Sequence, residues 1–81
     1  QWLERATERT PPPPVRGRPV KVRYATQARV DPPEVVLFTS GQLTPSYRRY
    51  LERDLRRTFG FEGTPVRLVV RVRTRERTGG R

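Results

Sequence analysis

Largely apolar residues recur at helical spacing between residues 44 and 59. A rotation of about 100° per residue separates these residues from a set of arginines on the opposite side of a helix. The largely apolar side contains Tyr47, Tyr50, Leu51, Leu55, Thr58 and Phe59. The opposite side contains Arg49, Arg53, Arg56 and Arg57. Thr44 can cap the first turn, and Pro45 suits the first helical position, where an N–H has no partner. Gly60 can end the helix because glycine adopts the left-handed conformation without a Cβ clash. The pattern predicts one amphipathic helix with an outer row of arginines.

Alternation of apolar and basic residues predicts a strand before this helix and another after it. In the last strand, Val66, Leu68, Val70 and Val72 alternate with Arg67, Arg71 and Arg73. In the first strand, Val20, Val22 and Tyr24 alternate with Lys21, Arg23 and Ala25. Residues 35–38 are apolar throughout and predict a short second strand, which follows a loop at Pro32 and Pro33. We therefore expect Tyr24 and Phe38 in the core, and we do not expect Tyr24 to stack on a nucleic-acid base.

Residues 2–9 predict a short helix that carries Trp2, Leu3 and Ala6 on its inner side. Four consecutive prolines follow, and they end this helix because proline lacks an N–H and restricts the residue before it. A stiff extended connector explains them, and a PxxP peptide ligand is the alternative. The chain contains no methionine, and no capping residue precedes this helix. We therefore expect a fragment of a longer protein, with a truncated first helix.

The predicted elements occur in the order helix, strand, strand, helix, strand. This order predicts an α+β fold in two layers, in which a three-stranded sheet has both helices packed on one face. We expect a single domain over residues 1–75 and a flexible basic tail over residues 76–81, which lack apolar side chains. Only 32% of the 81 residues are hydrophobic, so the core must be thin. We expect a monomer.

The composition excludes several kinds of site. The chain contains no cysteine and no histidine, which excludes a disulfide, a thiol or imidazole catalyst and a zinc site of the usual type. Asp54, near the border of the apolar side of the long helix, is better explained as an edge carboxylate than as a catalyst. We therefore expect no catalytic residue, metal or cofactor in this chain. No apolar run approaches the ~18 residues of a membrane span, and no signal peptide occurs, so we expect a cytoplasmic location without a membrane partner.

The net charge of +10 points to an acidic partner. All but one of the 18 basic residues are arginine, whose planar fork of donors fits phosphate and carboxylate groups. Nucleic acid is the partner that such a charge favours. The alternatives to a nucleic-acid partner are an acidic protein and a merely solvated basic surface. A GC-rich genome or a heat-loving host would also explain the excess of arginine.

Positive charge is concentrated in two parts of the chain. Residues 16–29 and residues 65–81 each carry +5, whereas residues 30–43 carry −2. If the first and last strands lie side by side, their cations form one basic sheet face opposite the helices; a solvated outer face is the alternative. With the outer row of the long helix, the candidate nucleic-acid-binding residues are Lys21, Arg23, Arg49, Arg53, Arg56, Arg67, Arg71 and Arg73.

Three long segments resemble a single family. They are WLERATERTPPPP from Trp2, VRYATQARVDPPEVVLF from Val22 and PSYRRYLERDLRRTFGFEGTPVRLVVRVR from Pro45. In this order they resemble the C-terminal KH-like domain of the Der (EngA) family, bacterial GTPases with two tandem G domains that act in ribosome assembly. The resemblance covers nearly the whole chain.

The resemblance implies an α-β-β-α-β fold packed against the G domains, large-subunit rRNA as the partner, and GTP and Mg²⁺ bound in the G domains. This chain has no G-x-x-x-x-G-K-[ST] loop, so we expect no GTP hydrolysis by it, and the G domains must have been removed or precede Gln1. Two hypotheses remain open. The chain is either a non-catalytic rRNA-contacting domain that also docks on the G domains, or an intramolecular docking module that senses their nucleotide state without binding RNA.

One short motif within the matched region does not carry the RNA chemistry of true KH domains. Gly60-Phe61-Glu62-Gly63 matches G-x-x-G, the loop with which those domains clamp a nucleic-acid backbone. Glu62 would repel phosphate, neither middle residue is a cation, and a strand follows instead of a second helix. We therefore expect a helix C-cap followed by a turn.

Overall fold

The computed structural model describes residues 2–61 and 63–73. Within them lie two helices, α1 (Trp2–Arg9) and α2 (Pro45–Phe59), and three strands, β1 (Val22–Val30), β2 (Pro33–Thr39) and β3 (Arg67–Val72). This order confirms the predicted α+β fold. The expected basic tail lies outside the described residues. In the described part of the chain, no helix is both long and apolar enough to cross a membrane.

The strands form one sheet in the order β1-β2-β3, with β1 antiparallel and β3 parallel to β2. The condition that the two basic strands lie side by side is therefore not met, because β2 lies between them. In β2, Val35, Val36 and Leu37 are all buried, so this strand is covered on both faces. A strand buried on both faces belongs at the centre of a sheet, whereas charged strands tolerate an exposed edge.

Both helices pack on one face of the sheet, as predicted. Leu37 of β2, Leu51 of α2 and Ala6 of α1 are completely buried in one core. The other buried members of this core are Trp2, Val20, Val35, Leu43, Tyr47, Leu55, Val66 and Leu68. The opposite face of the sheet, called the outer face below, is not covered by a helix of the described chain.

Both ends of α2 have the predicted caps. The Thr44 hydroxyl accepts a hydrogen bond from the Tyr47 backbone N–H at 3.2 Å. Gly60 is left-handed, with a φ of 72°, and the Phe61 N–H donates to the Arg56 carbonyl at 2.9 Å. The interpretation of the G-x-x-G sequence as a helix cap is therefore confirmed.

The buried side of α2 is shorter than predicted. Tyr47, Leu51 and Leu55 are buried, but Thr58 is exposed and Phe59 is 53% exposed. A cleft lies beside the last turn of α2, between that turn, α1 and β1. Because the last turn borders open space there, its apolar residues do not enter the core.

A β-bulge near the start of β1 moves Tyr24 to the outer face. Val22 pairs with Thr39, but Tyr24 pairs with Phe38, so Arg23 has no partner in the register. One extra residue in a strand inverts the alternation of its side chains. Tyr24 is 48% exposed, and Phe38 is only partly buried. The predicted core positions of Tyr24 and Phe38 are therefore wrong.

Two tyrosines of α2 hold the end of α1. The Tyr50 hydroxyl donates to the Ala6 carbonyl at 2.8 Å, and the Tyr47 hydroxyl donates to the Thr10 carbonyl at 2.6 Å. Burial raises the pKa of Tyr47 to about 12, and the neighbouring Tyr50 contributes to the same shift. The Tyr47 hydroxyl therefore stays protonated and can donate across the physiological pH range.

Asp54 is a buried joint between the two helices and not the edge carboxylate that the sequence predicts. It is 2% exposed, and its carboxylate accepts hydrogen bonds from the Trp2 indole N–H at 2.7 Å, Arg9 at 2.9 Å and Arg57 at 3.0 Å. Burial alone would raise the pKa of Asp54. These hydrogen bonds and the charge of Arg9 outweigh burial and hold that pKa below its usual value.

The core assignment of α2 predicts the effect of truncating Leu55. This side chain is 3% exposed, so Leu55→Ala leaves a cavity and should lower the free energy of unfolding by about 2–5 kcal/mol. Denaturant unfolding followed by circular dichroism measures the loss. Thr58→Ala, in the next turn but exposed, should change stability by less than about 0.5 kcal/mol. Equal effects of the two variants would contradict the orientation of α2.

The buried joint predicts a specific acid sensitivity. Because the folded pKa of Asp54 lies below its unfolded value, the ionised carboxylate stabilises the fold above pH ~4. That contribution should disappear as the pH falls from the unfolded value through the lower folded one. Asp54→Asn should lose about 1–3 kcal/mol at pH 7 and should show a weaker dependence of stability on pH in the acid range.

Glu52→Gln is the matched control for this change. Glu52 lies on the same helix and contacts Arg56 at 3.5 Å, but its side chain is 35% exposed. An exposed ion pair contributes little, so this variant should stay within about 0.5 kcal/mol of the parent. The same acid transition in the Asp54→Asn variant as in the parent chain would exclude Asp54 as its source.

Candidate nucleic-acid interface

The strand register sorts the outer face into three rows that run across the sheet. The first row contains Arg29, Glu34 and Arg67, the second Thr26, Val36 and Val69, and the third Tyr24, Phe38 and Arg71. In the first row, Arg29 Nε lies 3.7 Å from Glu34 Oε1, so an acid partly neutralises that row. The second row is mostly apolar. The third row combines aromatic rings with a cation and contains no acid.

The aromatic residues of the third row form part of a stacked column. The Tyr24 and Phe38 ring centroids are 4.6 Å apart, with an angle of 23° between the ring planes. The Arg73 guanidinium carbon lies 5.0 Å from the Phe38 centroid. Because β2 lies between β1 and β3, Tyr24 and Arg73 cover opposite faces of Phe38. Tyr24 is therefore the outermost ring of the column on the β1 side.

Basic residues from the two edge strands meet at one end of the sheet. The Lys21 N–H donates to the Ser40 hydroxyl at 2.9 Å, and the Arg73 N–H donates to the Thr39 carbonyl at 2.8 Å. The start of β1 and the end of β3 therefore flank the end of β2, about 10 Å apart at the usual strand spacing. We call this group, Lys21, Arg23, Arg71 and Arg73, the sheet-end cluster.

The sheet-end cluster has no neutralising acid. Within the described ranges, 2–61 and 63–73, no carboxylate oxygen lies within 4.0 Å of a charged nitrogen of these four residues. All four are exposed. Their guanidinium and ammonium groups are thus available to an external anion.

The other predicted residues lie elsewhere on the domain. Arg67 is at the opposite end of the sheet, beside Glu34 in the register. Arg49, Arg53 and Arg56, called the helix row below, lie on α2, which packs on the other side of the sheet. Arg49 and Arg53 are exposed, whereas Arg56 is half-buried and paired with an acid. The helix row thus lies on a different side of the domain from the sheet residues, and Arg67 is separated along the sheet from the sheet-end cluster.

Two further arginines that the candidate set omits lie next to the sheet-end cluster. Arg16 and Gly17 form a tight turn, with φ values of 53° and 77°. The Val15 N–H donates to the Arg18 carbonyl at 2.9 Å, and the Arg18 N–H donates to the Val15 carbonyl at 3.0 Å. Positive φ at both central residues is the signature of a type I′ turn. The acid-free run of cations over residues 16–29 was the sequence signal that could have indicated them.

This turn and the start of β1 line a basic cleft of about 630 Å³. The charged residues that line it are Arg16, Arg18, Lys21 and Arg23, and no acid is among its lining residues. Four cations and no anion around one concave surface produce a strongly positive potential. This surface fits an anionic ligand better than an apolar one.

A second cleft lies on the other side of Arg23. It has a volume of about 510 Å³ and lies between α1, β1 and the end of α2. Its aromatic lining residues are Trp2, Tyr24, Phe59 and Phe61, and its charged ones are Arg23 and Glu4. We call it the aromatic cleft. Arg23 lines both clefts and therefore connects an anion-binding surface to an aromatic one.

Comparison with known proteins places the chain in a family. The model of the KH-domain-like region of EngA bacterial GTPase enzymes, C-terminal, matches residues 1–71. GTPase Der of Corynebacterium glutamicum is 57% identical over 79 residues, which cover 98% of this chain and 15% of that protein. GTPase Der of Mycobacterium avium is 52% identical over 80 residues, 99% of this chain and 17% of that protein. GTPase Der of Mycobacterium tuberculosis is 54% identical over 72 residues, which cover 89% of this chain and 16% of that protein.

The chain thus spans less than a fifth of the length of these relatives. The family match covers both helices and most of β3, and it includes Gly60, the C-cap of α2. From the matched region, the element order and the identities, we conclude that this chain belongs to the family of KH-like C-terminal domains of EngA (Der) bacterial GTPases.

Proposed function

We propose that this chain is a non-catalytic domain that contacts large-subunit rRNA for a Der-like GTPase in ribosome assembly. The observation that supports this most directly is the sheet-end cluster, in which four exposed cations converge without an acid beside them. An acid-free arginine surface next to exposed aromatic rings is typical of an RNA contact.

Contacts of this kind hold RNA by its phosphates. Arginine pairs with phosphate oxygens through two parallel hydrogen bonds, which fixes the position of the backbone but does not distinguish one base from another. The shape of the folded rRNA would then supply most of the specificity.

The helix row supports a second partner for the same domain. Arg49 and Arg53 are exposed on α2, on the side of the domain away from the outer face. Because the two basic surfaces point in different directions, one can contact RNA while the other contacts a different RNA segment or an acidic surface of the G domains. GTP hydrolysis, with GTP and Mg²⁺, is assigned in this proposal to the G domains of the longer protein.

The salt dependence of binding tests the proposal. The chain should bind purified large ribosomal subunits with a log K that falls linearly with log salt, by about 0.7–0.9 per phosphate contacted. Replacing the four residues of the sheet-end cluster by Gln should make this slope less negative by about 3. The Gln variants of Arg49 and Arg53 should change it by less than about 2, because fewer cations are removed.

Circular dichroism of each variant checks that the fold is retained. Absence of binding by the parent chain at low salt, where electrostatic attraction is strongest, would overturn the RNA contact and leave docking on the G domains. An unchanged slope in the sheet-end variant would exclude this cluster from the RNA-binding surface. An unchanged slope in the helix-row variant would assign Arg49 and Arg53 to the G domains.

A further inference from the structure

We propose that single-stranded RNA binds along the free edge of β1, with its phosphates in the basic cleft and one unpaired base stacked on the exposed ring of Tyr24, on the outer face of the sheet. The inference rests on the proposed RNA contact and adds to it the class of RNA and the position of a base. Its starting point is Arg23, the bulge residue at the edge of the sheet, which lines both clefts.

The basic cleft supplies the phosphate contacts. Arg16, Arg18, Lys21 and Arg23 line it without an acid, and all four are exposed. A backbone that follows these residues runs parallel to β1 and reaches Arg23, the residue next to Tyr24. Binding sites for single strands combine a positive groove with aromatic rings in this way.

The conformation of Arg16 indicates that its charge matters more than its fit to the turn. It has a φ of 53°, a region that residues other than glycine rarely occupy, and type I′ turns favour Asn before Gly. An arginine here is unfavourable for local geometry. It is favourable for charge, since the turn holds the side chain at the edge of the basic cleft.

Tyr24 supplies the stacking surface. One face of its ring contacts Phe38, whose other face is covered by Arg73. The remaining face of Tyr24 points away from β2, and the residue is 48% exposed. A base placed against this face extends a column that is already stacked, so the protein need not rearrange to accept it.

Only an unpaired base can stack on Tyr24. In a duplex the bases are stacked on each other, so neither face of a base is free to cover the ring. The ligand must therefore be single-stranded at this position.

An RNA without bases separates stacking from charge. We would measure the affinity of the 81-residue chain for a labelled oligouridine and for an abasic oligoribonucleotide of the same length and charge, by fluorescence anisotropy. Stacking on Tyr24 should make the oligouridine bind roughly 5- to 100-fold more tightly. Tyr24→Leu should remove this preference without changing the salt slope, and Tyr24→Phe, which keeps the ring, should retain it.

The outcomes distinguish this inference from the proposed function. Equal affinity of the parent chain for the two RNAs would overturn base stacking and leave the charge-based RNA contact intact, and the aromatic cleft would then suit a protein partner. No binding of either RNA at low salt would overturn both. If Tyr24→Leu fails to fold, the comparison of the two RNAs on the parent chain and on Tyr24→Phe still decides the question.

Arg16→Asn tests the phosphate half of the site. Asn is well accommodated at positive φ, so this variant should be at least as stable as the parent chain. It should nevertheless bind oligouridine more weakly, with a salt slope less negative by about 0.7–0.9. Arg5→Gln, an exposed residue of α1 outside both clefts, is the control for net charge. Equal slopes for the two variants would exclude Arg16 from the site.

Discussion

The rest of the domain depends on the burial of β2 on both faces. Its inner face packs against the helices, while Val36 on its outer face is only 8% exposed although no helix of the described chain covers that face. A strand of this kind must lie in the centre, which forces the arginine-rich β1 and β3 to the edges. Since one edge is antiparallel and the other parallel, the start of β1 and the end of β3 meet at the same end of the sheet. The basic residues of β1 and those of β3 are therefore separated by β2 but lie at the same end of the sheet.

Local chemistry made much of the fold predictable. The cap at Thr44, the stop at Gly60 and the alternation of β3 each follow from residues close together in the sequence, and the structure contains all three. The family resemblance implied the same α-β-β-α-β order but not the order of the strands in the sheet. The features that the sequence did not predict depend on distant partners: the face of Tyr24 is set by a bulge against β2, and the burial of Asp54 requires a donor 52 residues away.

For the candidate site, the residue types were predictable and their grouping was not. The run of cations over residues 16–29 indicated an anion-binding segment, and the structure forms a cleft from it. Alternation alone assigned Tyr24 to the core, however, because one bulge residue inverts a pattern of period two. The same error hid the exposed ring of Tyr24 on the outer face. Arg16 and Gly17 form a type I′ turn. Residue preferences alone do not predict this turn, because type I′ turns favour Asn before Gly.

The joint between the helices also shapes the candidate site, because Trp2 belongs to both. Its indole N–H donates to the buried Asp54 carboxylate at 2.7 Å, while its ring lines the aromatic cleft. The hydrogen bond fixes the orientation of the ring, and Arg9 and Arg57 keep the carboxylate ionised and able to accept it. The wall of the cleft formed by α1 is thus held by the same charge that joins α1 to α2. A domain with so thin a core can in this way keep a cleft of fixed shape, since a directional hydrogen bond, and not packing alone, sets the position of the ring.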